Sequence, residues 1–125
     1  MERRRRANAL GAKGELVALE YLEKRGAKFV ARNYRCPGGE IDLVVWHEGD
    51  LVAVEVKTRT LGGLGLPEES LSWWKLKRVA HALGMFAMES NQPSCLWRID
   101  VVVVDVDVDA NVKRVEHFKS VYEET

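Results

Sequence analysis

The stretch that most constrains this chain is Gly39–Arg59, GEIDLVVWHEGDLVAVEVKTR. β-Branched and aromatic residues run from Ile41 to Trp46 and again from Leu51 to Lys57, with His47-Glu48-Gly49-Asp50 between them. This pattern predicts a β-hairpin. A loop with an even number of residues, centred between Glu48 and Gly49, sets Asp42 opposite Glu55 and Glu40 opposite Lys57. Alternation then puts all four on one face, with opposed Cβ atoms about 4.5–5.5 Å apart. Two carboxylates roughly 5 Å apart repel by about 1 kcal/mol in water and about 3 kcal/mol at an effective dielectric near 20. A favourable cross-strand pair returns only ~0.2–1 kcal/mol. A divalent cation between the two acids would reverse the sign. Two blander arrangements use the same residues. Glu40 and Lys57 could form a surface ion pair on a solvated face, or a bulge at Gly49 could shift the register and part the carboxylates.

Length and composition fit one domain: 125 residues, 46% hydrophobic and 30% charged suffice for a core of ordinary soluble type. Residues 1–6 read as a flexible basic arm and 7–125 as a single domain. No apolar run approaches the roughly 20 residues of a membrane helix, and no apolar segment follows the N-terminal arginines, so no secretory signal is expected. Cys36 and Cys95 have neither metal-ligand nor redox spacing, which suits a reducing cytoplasm. Net charge is zero, arguing against binding nucleic acid by bulk positive charge. The charge is uneven, however: the first 35 residues carry 10 Lys/Arg against 4 Asp/Glu. This is either a phosphate-facing side or a solvated tail.

Along the chain, Asn8 can cap a helix from about Ala9 to Arg25, stopped at Gly26. Leu10, Ala18, Tyr21 and Leu22 form its apolar side, with Glu15, Gly11 and Gly14 on the same stripe. The glycines would admit a close neighbour. An inward acid needs a partner, unless Glu15 sits at the stripe's edge and merely favours the helix N-terminus. Lys28–Tyr34 alternates as a strand with Phe29 and Ala31 on one face, giving an antiparallel meander with the hairpin. Arg59–Pro67 reads as a mobile loop. A second helix runs from about Pro67 or Ser72 to Ser90, with Leu76, Val79, Ala82, Leu83 and Phe86 inward. Lys75, Lys77 and Arg78 crowd its start, where a bound phosphate would offset the dipole. Trp73 and Trp74 are read first as core anchors and second as base-stacking surfaces. Val101–Val104 suits a strand covered on both faces, parallel to a hairpin strand after a helical crossover. Val112–Phe118 is a last strand. The order is αβββαββ: an α/β domain with a mixed sheet flanked by helices.

Competing motifs fall away. His47, His81 and His117 lack zinc spacing. GGLGLPEES lacks the Lys and Ser/Thr of a nucleotide P-loop, and no serine has a nucleophile elbow. The surviving constellation is Glu15, Asp42, Glu55 and Lys57.

Asp42, a turn, and then Glu55-Val56-Lys57 resemble the signature of the PD-(D/E)XK nucleases, with Ile41 in place of the proline. GAKGELVALEYLEKRG, ARNYRCPGGEIDLVVW, VAVEVKTRT, GLPEESLSWWKLKRV and RIDVVVVD together resemble the YraN-like family of uncharacterised bacterial proteins. That family is regarded as predicted endonucleases similar to archaeal Holliday junction resolvases. The resemblance implies a restriction-endonuclease-like core and hydrolysis of phosphodiester bonds in DNA, including branched or junction DNA. It implies Mg²⁺ or Mn²⁺ bound by Asp42, Glu55 and the carbonyl of Val56. Lys57 would act on the attacking water, and Glu15 would reach in from the first helix. Arg32, Arg35, Arg59 and Lys75 become candidate phosphate contacts, and a homodimer is expected by analogy with the resolvases. Two rivals remain: a non-catalytic nucleic-acid-binding module on a nuclease fold, and a scaffold whose carboxylates are solvated.

Overall fold

The hairpin closes through Glu48 and Gly49, both at positive φ, 56° and 83°. Two successive left-handed residues match the right-handed twist of the flanking strands, so the loop adds no odd residue. In the computed structural model, which describes residues 2–61, 72–91 and 96–122, β2 (Gly39–His47) and β3 (Asp50–Thr60) pair from His47/Asp50 to Leu43/Val54. This is the register expected from the sequence.

Three further strands and two helices complete the described fold: α1 (Glu2–Glu23), β1 (Lys28–Cys36), α2 (Trp73–Glu89), β4 (Leu96–Val106) and β5 (Val112–Phe118). The sheet order is β1-β2-β3-β4-β5, antiparallel except for the parallel β3–β4 pair joined by the α2 crossover. Ala18 and Leu22 of α1 bury against Leu43, Val45, Val52, Val54, Val102 and Val104. On the other face, Leu76, Val79, Ala82 and Leu83 of α2 cover Ile41, Leu51, Ala53 and Ile99. A mixed sheet between two helices is the restriction-endonuclease-like α/β fold. Ser72 caps α2, accepting the Lys75 N–H at 3.1 Å. Among the described residues, no helix is long and apolar enough to cross a membrane.

Close approaches fix both helices near the open end of the hairpin. A Cβ on Gly14 would strike the Thr58 hydroxyl of β3, and one on Gly39 would strike the Arg78 carbonyl of α2. Gly11, expected to share this role, faces nothing within 4 Å.

Several local expectations are corrected. Helix α1 begins at Glu2 instead of Ala9, so Asn8 is interior and the basic arm is helical, because Arg and Ala are strong helix formers. A bulge in β1 between Phe29 and Ala31 breaks their shared face. Val30 and Ala31 both pack toward the α2 side, while Phe29 is exposed. Trp73 and Trp74, expected in the core, are 49% and 69% exposed. The glycine-rich segment 62–71 and Cys95 lie outside the described residues.

Candidate active site

Beyond Leu43/Val54 the Asp42 side chain enters the pairing itself. Its Oδ2 accepts the Val56 backbone N–H at 2.9 Å. Asp42 is therefore fixed at the point where β2 and β3 part, beside Glu55 on the neighbouring strand. Glu55 is only 5% exposed, and the Asp42 carboxylate shares a hydrogen bond with it. Burial, then that hydrogen bond and the Asp42 charge, push the Glu55 carboxyl up to about 9, against a weaker pull from Lys75. The two acids are thus too close and too dry to ionise together.

Glu15 reaches toward the same point from α1. Burial and the charge of Asp42 raise its carboxyl above the usual range, opposed by Arg32, whose guanidinium lies 3.6 Å away. The Gly14–Thr58 contact explains how an acid on α1 comes so near the hairpin. Lys75 lies 3.9 Å from Glu55 on the α2 side. Lys57 follows Glu55 on the same side of β3 and makes no ion pair among the described residues. Glu40, a candidate partner for it, instead lies 3.6 Å from the exposed Arg35.

Above the acids is a cleft of about 320 Å³ lined by Glu40, Glu55 and Val79 and by the cations Arg35, Lys75 and Arg78. Arg35 and Lys75 are two of the candidate phosphate contacts, and Arg78 joins them from the same crowded start of α2. Arg32 stands by Glu15. Arg59 is committed elsewhere: its guanidinium donates to both oxygens of Asp105, at 2.8 and 3.2 Å.

The donor set suits a hard divalent ion. Mg²⁺ takes oxygen ligands and commonly uses only one or two carboxylates, filling the rest with water and substrate phosphate. Among the described residues no three His, Cys, Asp or Glu groups form a ready-made cluster, so Asp42 and Glu55 are the pair on which such a site would rest.

Sequence reasoning missed a second polar centre. Arg98 donates to Asp100 at 2.9 and 3.0 Å, to Asp50 at 3.1 Å, to Glu48 at 3.0 Å and to His47 Nδ1 at 2.9 Å. His117 donates to Asp100 at 2.7 Å. The only sequence signal was Arg98-Ile99-Asp100, two polar residues two apart on a strand otherwise rich in valine.

A profile of the uncharacterised protein family UPF0102 matches residues 14–104. The chain belongs to this family, the YraN-like one that its segments resemble. A UPF0102 protein of Roseiflexus castenholzii is 40% identical over 120 residues, covering 95% of this chain and 97% of the relative. One from Beutenbergia cavernae is 42% identical over 117 residues (94% and 98%), and one from Pelotomaculum thermopropionicum 39% over 113 residues (90% and 94%). The stretch that matches UPF0102 contains Glu15, Asp42, Glu55, Lys57 and Lys75 together. Membership carries no activity with it.

Proposed function

We propose that this UPF0102 protein is a Mg²⁺- or Mn²⁺-dependent endonuclease that hydrolyses phosphodiester bonds in DNA, branched DNA included. The observation that carries the reading is the buried Glu55, which sits beside Asp42 and lines a cleft rimmed by Arg35, Lys75 and Arg78. A protein built only to fold would gain by replacing Glu55 with an apolar residue. A divalent ion held by Asp42 and Glu55 would supply electrostatic stabilisation of the charge developing on phosphate. Lys75, Arg35 and Arg78 hold the phosphate oxygens. Lys57 orients the attacking water and receives its proton when itself neutral. The water oxygen bonds to phosphorus, and the bond to the departing sugar oxygen breaks. Glu15 and its partner Arg32 position Asp42 from the α1 side.

The test has two parts. Mn²⁺ and Mg²⁺ are titrated during thermal melting of the wild type and of Asp42→Ala; a metal-linked rise confined to the wild type is expected. Linear, single-stranded, flapped and four-way-junction DNA are then incubated with Mn²⁺. Cutting that persists unchanged in Lys57→Ala would place the activity elsewhere. DNA retention without cutting, with a salt-dependent affinity, would make the chain a binding module.

A further inference from the structure

The first turns of α2 carry an arrangement that the hydrolytic site does not use. Trp73 and Trp74 stand edge to face, with ring centroids 4.8 Å apart and planes at 79°. They remain 49% and 69% exposed. Lys77 Nζ lies 5.0 Å from one ring centroid and 5.6 Å from the other, and no acid occupies the first turn. Trp74 forms one wall of a hollow of about 500 Å³, shared with Gly38, Lys77, Arg78 and His81. His81 is braced against the Pro37 carbonyl at 3.1 Å. Gly38 and Arg78 also line the acidic cleft, so hollow and cleft are one continuous surface.

Trp73 leans on the Tyr122 ring, with centroids 6.4 Å apart, but leaving half of it and most of Trp74 in water forgoes burial that makes tryptophan useful in a core. A flat π-surface beside cations has the chemistry of a platform for an unpaired nucleotide, since every base has a face to stack and a phosphate to neutralise. Paired bases present no free face.

We propose that Trp73 and Trp74, with Lys77, Arg78 and His81, bind unpaired nucleotides next to the cleft, so that the preferred substrate carries a single-stranded segment beside the bond to be cut. This rests on the nuclease reading for the cleft, but the stacking itself does not. The step is non-covalent.

The test measures binding, with Lys57→Ala in Mg²⁺ and the wild type in Ca²⁺ as two backgrounds that limit cutting. The probes are an oligothymidine of about 16 nucleotides, the same strand with abasic sites, and a blunt duplex. Trp74→Ala is expected to weaken oligothymidine binding about 10-fold, consistent with the loss of one stacked base, while leaving duplex binding unchanged. Trp74→Phe should restore most of the loss, and the abasic strand should bind equally weakly to wild type and Trp74→Ala. Equal losses on strand and duplex, or an abasic strand that binds as well as the intact one, would overturn the proposal. So would a tryptophan-dependent self-association with no change in DNA affinity, which would assign the pair to a contact between copies. Stacking without cleavage of any DNA would leave this proposal standing and remove the nuclease reading. Cleavage with tryptophan-independent binding would do the reverse.

Discussion

Asp100 and Glu55 are both buried carboxylates, 1% and 5% exposed, and the protein treats them in opposite ways. Burial alone would raise Asp100, but hydrogen bonds from Arg98, the Ser120 N–H and His117 outweigh it and hold the carboxyl below its usual range. Asp105 is likewise held down, by Arg59 against burial and then by Arg114. Among the described residues Glu55 has no arginine partner; Lys75 stands 3.9 Å away, and another acid, Asp42, is its hydrogen-bonding neighbour. Compensated acids are structural; an uncompensated one keeps its capacity to bind something positive. The contrast lies within one sheet, on neighbouring strands, so it cannot be put down to a difference in fold.

The sharpest way to break this comparison is through activity. Lys57→Ala and Glu55→Gln should each reduce DNA cleavage about 10²–10⁴-fold, whereas Arg114→Ala, which removes a partner of the compensated Asp105, should leave the rate per folded molecule unchanged. Comparable losses from Arg114→Ala would mean that the two kinds of acid are not functionally distinct.

Stability provides the next test, with opposite signs. Removing Arg98 leaves Asp100 with only His117 and the Ser120 N–H and should destabilise the fold by about 3 kcal/mol, measured by denaturant titration. Glu55→Gln in metal-free buffer at pH 8 should instead stabilise it, because the folded chain no longer has to take up a proton that the unfolded chain has released. A loss of stability in both variants would make Glu55 an ordinary member of the folded network.

The pH dependence follows from the same signs. The folded-state value for Glu55 is raised, from 4.5 to about 9. Its contribution is fully present below pH 4.5 and is lost as pH rises through about 9. Across that window the folded state binds a proton that the unfolded state has released, so metal-free stability falls by at most about 1.4 kcal/mol per pH unit. Glu55→Gln should flatten the slope, and saturating Mn²⁺ should flatten or reverse it, since the ion takes the proton's place. Asp100 and Asp105 act at the other extreme: their contribution is present above 3.8 and lost as pH falls below it. The smallest effect concerns Glu15. Its arginine is exposed at the surface, so Arg32→Ala should change stability by under about 1 kcal/mol, measured by melting, and raise the Glu15 carboxyl further, read by NMR titration.

What the sequence made legible was whatever depends on near neighbours along the chain. Two short runs with a two-residue turn set the Asp42–Glu55 opposition, and the valine run of β4 located an interior strand. The helical wheel put Glu15 inward because the wheel is local. The wheel could not say whether anything lies opposite a given turn, so Trp73 and Trp74 were assigned to a core they do not enter. His47 looked like a residue at a turn tip, yet it is buried by Arg98 and His117, 51 and 70 positions away, through contacts that only the assembled sheet creates. Arg59 illustrates the same point: expected among the phosphate contacts, it pairs instead with Asp105 on the parallel neighbour.

The turn at Glu48–Gly49 has one further consequence. A hairpin loop acts as a counter whose parity is transmitted to every rung of the ladder above it. Adding or removing a single residue there would turn one strand over relative to the other, separating Asp42 from Glu55 although neither had been changed. Length variation at this tip should therefore be tolerated in steps of two and rejected in steps of one, making an exposed surface turn, remote from the cleft, a stringent determinant of whether the acids meet.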